Sequence, residues 1–178
     1  VYFGSNRAGT PNIWRLSTTA VGGLVMVTSS QTSDINPMVS PDGKTLMYSA
    51  FMSDSKIPQI WTKPIDKGLP MQIREGHDAV WSPDGKCIMF SAQERSKGAF
   101  KIWTMGLNGE APTLISSEQD SNDIHPCWFP DGKHLAFASD RGKSSRGHNY
   151  DIWMADLDGS NLRQLTTNGS RDDMPVVA

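Results

Sequence analysis

The chain has 178 residues, with 17 Lys and Arg against 19 Asp and Glu, a net charge of -2 and a sequence pI near 6.1. That balance offers no basic surface for nucleic acid or an anionic membrane, and no apolar run approaches the ~20 residues of a spanning helix, so no membrane insertion is expected. Two cysteines, Cys87 and Cys127, form neither a Cys-x-x-Cys pair nor a disulfide framework, and they leave the redox compartment open.

The elements recur along the chain. Val1 to Arg7 reads as a strand because it aligns with Leu135 to Arg141 further on, and Ile13-Trp14 is the first of four Ile-Trp pairs. A polar motif, Asp34-Ile35-Asn36-Pro37, then precedes a short strand ending in "MVS" and the turn Pro41-Asp42-Gly43. In that turn Pro presets φ, Asp bonds back to the backbone and Gly accepts a positive φ. The run "TLMYSA" follows as a second strand, "QIWTKPI" alternates as a third, and "DKGLP" turns into a fourth, "MQIRE".

The next unit repeats the order with "EGHDAVW", a Pro-Asp-Gly turn at Pro83, then "CIMFSA", "KIWTMGL", "NGEAP" and "TLISS". In it Ala79 stands where the motif's proline is expected. The third full unit runs from Asp123-Ile124-His125-Pro126 through the turn at Pro130 to "HLAFAS", "DIWMADL", "DGSNL" and "RQLTT". Asp172-Asp173-Met174-Pro175 opens one more first strand. Successive Pro-Asp-Gly turns lie 42 and 47 residues apart, and the Ile-Trp pairs at 13, 60, 102 and 152 keep a similar spacing.

Four short antiparallel strands every 40 to 50 residues predict β-propeller blades, an all-β fold with about four blades in this chain. Adjacent apolar residues in "LMY" and "IMF" fit sheets covered on both faces. A single propeller domain is expected over 1–178. Its repeat units fall near 1–33 (completed by 172–178), 34–75, 76–118 and 123–168.

The stretches "DINPMVSPDGKTLMYSA", "DIHPCWFPDGKHLAFASDRG" and "YDIWMADLDGSNLRQLT" resemble the WD-like propeller repeat of the TolB family. That repeat also occurs in the propellers of tricorn and prolyl-oligopeptidase-type peptidases and of oligogalacturonate lyases. The resemblance covers essentially the whole chain, and its motif residues are blade scaffolding. It implies a non-catalytic scaffold that binds a protein or peptide, in a bacterial periplasm or cell envelope.

By register, the chain opens inside a second strand and closes on a first strand, so the two ends together would lack only a hairpin turn. Three assemblies follow as expectations. They are a four-bladed ring, part of a longer propeller (typically six-bladed in the family), and a homodimer forming an eight-bladed ring. Val1 in place of a start Met leaves an upstream region open.

The chemistry of the sequence points to binding. There is no Gly-x-Ser-x-Gly elbow, and His77, His125, His134 and His148 match no zinc spacing. No cofactor is expected. The Asp156-Leu157-Asp158-Gly159 stretch reads as a hairpin turn rather than a calcium loop, because it lies between two strands and lacks the later Glu. Asn168-Gly169-Ser170 is formally a glycosylation sequon, read here as a polar loop.

The strand tryptophans Trp14, Trp61, Trp103 and Trp153 are expected to pack between blades, with Trp81 and Trp128 in the same role. The pairs Asn6-Arg7 and Asp140-Arg141 are expected to support the loop after the second strand. Candidate binding residues sit ahead of the first strand: Asp34, Asn36, His77, Asp78, Asp123, His125, Asp172 and Asp173. If first strands line an axial channel, these polar groups ring one mouth of it. There they would grip a peptide or hold a cation such as calcium. A structural alternative has Asp capping loop backbone while Asn or His fills a slot before Pro. A lyase-like metal site is disfavoured because His77 falls one position out of register with His125.

Overall fold

The computed structural model describes residues 1–19, 23–53, 55, 57–94, 98–107, 110–117, 121–142, 149–167 and 169–177. His148 and Asn168 lie outside them. Fifteen strands and no helix occur among the described residues. They form antiparallel sheets in which consecutive strands are neighbours, as the repeat predicts.

The chain divides into two compact units, 1–77 and 78–178. In the first, β1 (Tyr2–Ser5), β2 (Asn12–Leu16) and β3 (Leu24–Met26) make a three-stranded blade. Beside it β4 (Ser33–Val39), β5 (Thr45–Phe51), β6 (Gln59–Pro64) and β7 (Met71–Glu75) make a four-stranded one. The second unit holds a blade of β8 (His77–Trp81, starting one residue before the boundary), β9 (Cys87–Gln93), β10 (Phe100–Gly106) and β11 (Thr113–Leu114). Its other blade comprises β12 (Asp123–Trp128), β13 (His134–Ser139), β14 (Asp151–Asp156) and β15 (Arg163–Gln164).

Within each unit the core lies between the two sheets. In the first, Ile13 packs with Leu46, Tyr48 and Ala50, joined by Tyr2, Val27, Val39 and Trp61. In the second, Met89, Ile102 and Ile115 meet Leu135, Phe137 and Ala155, joined by Trp128 and Trp153. The second strands are buried through successive residues, on both faces, as the apolar runs imply. Burial of each large side chain contributes about 1.5–3 kcal/mol.

Two differences from the sequence expectation stand out. The outermost strands β11 and β15 shrink to two residues each, because a bulge follows in which Ile115 and Ser116 N–H both donate to Ile102 O, and Leu165 and Thr166 N–H both donate to Ile152 O. The first strands are longer than "MVS" or "CWF", because the motif ahead of the turn belongs to them. A bulge explains the length. Register shifts between Ile35 and Met38 and between Ile124 and Cys127, with Asn36 at φ 53° and His125 at φ 51°.

The Pro-Asp-Gly turns show why they repeat. The Ser82 hydroxyl donates to Asp84 Oδ1 (2.7 Å) and accepts from the Cys87 N–H (3.0 Å), while Lys86 N–H also donates to Asp84 (3.1 Å). Ser40 and Asp42 do the same in the second blade. Gly43, Gly85 and Gly132 adopt φ of 74°, 71° and 66°, which a side chain would strain. In the fourth blade Phe129 replaces the serine, and the His134 ring takes over, its Nδ1 lying 2.6 Å from Asp131 Oδ2. The Asp156–Asp158 stretch is a hairpin turn, closed by Gly159 N–H to Asp156 O (2.9 Å).

The Ser82 hydroxyl, followed by the Lys86 N–H, holds the Asp84 carboxyl below its ordinary value of 3.8. A lowered carboxylate contributes stability that is complete above 3.8 and lost as pH falls through the lower folded value. Ser82→Ala is expected to cost roughly 1 kcal/mol in urea unfolding at pH 7. The stability gap between wild type and Asp84→Asn should narrow as pH drops below 3.8, and a gap constant with pH would refute this account.

Candidate functional site

The motif before each turn is built on a recurring backbone contact. The N–H of Asp34 donates to Pro11 O (2.9 Å), that of Gly76 to Pro58 O (2.8 Å) and that of Asp172 to Tyr150 O (2.8 Å). Each acceptor lies two residues before the Ile of an Ile-Trp pair. Two residues beyond each donor the chain takes a positive φ, at Asn36 (53°), Asp78 (52°) and Met174 (53°), matching His125 in the fourth blade. Asn, Asp and His are the non-glycine types that best tolerate this region, which explains three of the four identities.

The motif aspartates turn inward. Asp34 is fully buried and accepts from the Ser30 hydroxyl and the Thr32 hydroxyl, each at 2.6 Å. Burial, and then the Asp34 carboxylate, pushes the Tyr48 phenol well above its usual range. Asp123 is also fully buried and binds Arg141 Nη2 at 2.9 Å, with the Ser139 hydroxyl donating to the same oxygen. Its second oxygen lies 3.6 Å from Lys101 Nζ, and that ammonium also donates to Ser121 Oγ (3.2 Å). These two carboxylates are committed to protein partners.

Arg141 completes a stack. Its guanidinium carbon lies 5.1 Å from the Phe137 ring centre and 5.0 Å from that of Trp153, and Nε donates to Ser139 Oγ (2.8 Å). Arg7 repeats the pattern on Phe3 (5.3 Å) and Trp14 (5.0 Å), with Nε on Ser5 Oγ (3.0 Å). Trp14 and Trp153 are therefore platforms for an arginine, exposed at Arg7 and buried at Arg141, worth about 0.5–2 kcal/mol per stack. Asp140 ties to the segment just before β12, accepting from Asn122 N–H (2.7 Å) and Asn122 Nδ2 (3.0 Å), while residues 143–148 of the loop it is expected to support lie outside the described residues. Lys101 escaped the sequence reading. Its signal is that Asn12, Gln59, Lys101 and Asp151, each just before Ile-Trp, are all polar.

Of the eight candidates, the structure brings Asp78 and His125 together. His125 Nε2 lies 3.3 Å from Asp78 Oδ2, with side chains 20% and 17% exposed, and His125 Nδ1 is buried without a hydrogen-bond partner. They come from the first strands of neighbouring blades, at matching positive-φ positions. His77 precedes that position by one residue, as its register implied. Asn36 is exposed on β4, whereas Asp172 and Asp173 are half-buried, Asp173 accepting from Arg171 Nε at 2.7 Å. Among the described residues no three His, Cys, Asp or Glu side chains converge as metal ligands. On the turn side, Pro83, Cys87, Trp128, Pro130 and Leu157 line a shallow groove. Burial, then Asp84, raises the Cys87 thiol, so it is not an activated nucleophile.

Antiparallel blades of consecutive strands, repeated along the chain, define a β-propeller. Residues 22–178 match the TolB beta propeller domain, and the chain belongs to that family. Among curated proteins none matches the sequence. A TolB structure from Acinetobacter baumannii is similar over 98% of this chain and 43% of its own, at 24% identity and a TM-score of 0.75. A TolB-type protein from Agrobacterium tumefaciens is similar over 92% of this chain and 59% of its own (23% identity, TM-score 0.73). A puromycin-hydrolysing peptidase from Mycobacterium tuberculosis is similar over 93% of this chain and 28% of its own (14%, 0.74). At these identities the likeness is one of fold. The chain spans less than two thirds of each of these proteins. No helix among the described residues is long and apolar enough to cross a membrane.

Removing the carboxylate between two buried cations leaves both uncompensated. Asp123→Ala is expected to lose about 3–5 kcal/mol in guanidinium unfolding. Asp173→Ala, which breaks a half-exposed pair with Arg171, should lose about 0–1 kcal/mol. Equal losses would contradict the inward role of Asp123.

Proposed function

We propose that this propeller is a non-catalytic scaffold that binds a protein or peptide at the blade ends where Asp78 and His125 meet. The observation that carries this reading is that pair. Two backbone-constrained polar side chains from adjacent blades sit 3.3 Å apart, half-buried, with one ring nitrogen unsatisfied. Constrained, partly desolvated polar groups of this kind favour a peptide that supplies complementary donors and acceptors. Asp172 and Asp173, from the same unit, would extend the surface, with the buried Asp123 holding its first strand in place; Asn36 takes the matching positive-φ position in its own blade. Family membership supports a scaffold role and a bacterial periplasmic or envelope setting.

A second reading makes the chain the substrate-gating propeller of a larger serine peptidase. The fold likeness to the Mycobacterium tuberculosis peptidase favours it. The two readings separate on the gene: a Gly-x-Ser-x-Gly hydrolase module in the same open reading frame supports gating, and a small α/β domain supports the scaffold.

A photo-crosslinking residue placed at His125 should trap a discrete envelope protein or peptide, and Asp78→Lys should reduce that adduct at least tenfold. The same probe at Asp42, on a turn, should trap none. Equal adducts at both positions, or a His125 adduct indifferent to Asp78→Lys, would sink the reading.

A further inference from the structure

The outermost strand of the first blade differs from its counterparts. Leu24, Val25 and Met26 of β3 are all exposed, at 37%, 46% and 40%, and Leu16, opposite Leu24, is 42% exposed. From Leu16 to Ser33 the chain carries no charged residue. The other outer strands are guarded: β7 carries Arg74 and Glu75, β15 carries Arg163, and β11 is two residues long. Charges and shortness are the ordinary means of keeping a free sheet edge from pairing. β3 has neither a charge nor a neighbouring one in sequence.

The ladder fixes which backbone groups face outward. Ser17 N–H donates to Gly23 O (3.1 Å) and Val27 N–H to Ile13 O (2.8 Å), so 23 and 27 bond inward to β2. Antiparallel alternation puts Val25 with them and leaves the N–H and C=O of Leu24 and Met26 on the open edge.

We propose that β3 is a dimerisation edge, two copies of this chain pairing antiparallel about a twofold axis at Val25. Leu24 of each copy then faces Met26 of the other, and about four backbone hydrogen bonds close the pair. A second copy is the favoured occupant because an uncharged strand selects no oppositely charged partner, and apolar residues meet apolar residues in this register. The nearest like charges are the two Arg15 side chains, which sit opposite Val25 on β2. Three strand spacings separate them, roughly 14 Å, beyond the ~8 Å Debye length at physiological salt. Each copy contributes one such edge, so the contact closes at two. The patch covers less than the ~800 Å² per partner of a standard interface, which makes the dimer weak and concentration-dependent.

Sedimentation velocity of the full chain from about 1 to 200 µM tests this. The expected result is a shift from 19.6 kDa toward twice that mass, with slowed amide exchange at Leu24 and Met26 at high concentration. Val25→Lys should keep the chain monomeric throughout. Met26→Pro should do likewise, since it removes only an outward N–H and leaves the β2–β3 bonds intact. Both should melt as the wild type does, and Met71→Lys on β7 should leave the dimer unchanged. A wild type that stays monomeric, an open-ended assembly, or a dimer that survives both β3 variants would overturn the proposal.

Discussion

A sheet that is apolar on both faces cannot stand alone in water, and the second strand of every four-stranded blade here is such a sheet's centre. Leu46-Met47-Tyr48, Ile88-Met89-Phe90 and Leu135-Ala136-Phe137 are each buried without interruption. Within each unit the partner sheet covers one of those faces. The repeat follows from that demand, because another copy of the same sheet is the surface best shaped to cover them. The hairpin turns, the Ile-Trp strands and the motif ahead of the turn all serve to place one such strand against the next.

Much of this was legible in the residues. Period-two alternation and the turn chemistry of Pro-Asp-Gly located β5, β9 and β13 to within about a residue, since local preference and tertiary demand agree there. The first strands were underestimated for a physical reason. Asp34 to Pro37 looks like loop sequence, and only the ladder reveals that it is strand carried across a bulge. Proline is tolerated at such a place because the ladder is already interrupted. Among the last strands, "MQIRE" is β7 in full, whereas β11 and β15 end early at a bulge that the pattern of residue types does not signal.

The site was half legible. Recurrence singled out the motif, and its third position does carry Asn, Asp and His in the constrained conformation that those side chains tolerate. What recurrence could not separate was the two directions in which the motif points. Asp34 and Asp123 look as available as Asp78 in the sequence, yet Asp34 is buried under the nearby Ser30 and Thr32 hydroxyls and Asp123 under cations from other strands. Lys101 is the sharper case: a lysine in a strand reads as surface, and its burial depends on a carboxylate 22 residues further along.

That lysine has a consequence for how such a protein can change. The turns carry their hydrogen-bond partners within six residues, so each travels intact with its own blade, and Phe129 with His134 shows one being rewritten locally. The ion pair between Lys101 and Asp123 is different, because its halves belong to successive blades. Exchanging or reordering those blades would leave an ammonium buried without its counter-charge, at several kcal/mol. The blades look interchangeable in outline, but this contact makes their order part of what the fold encodes.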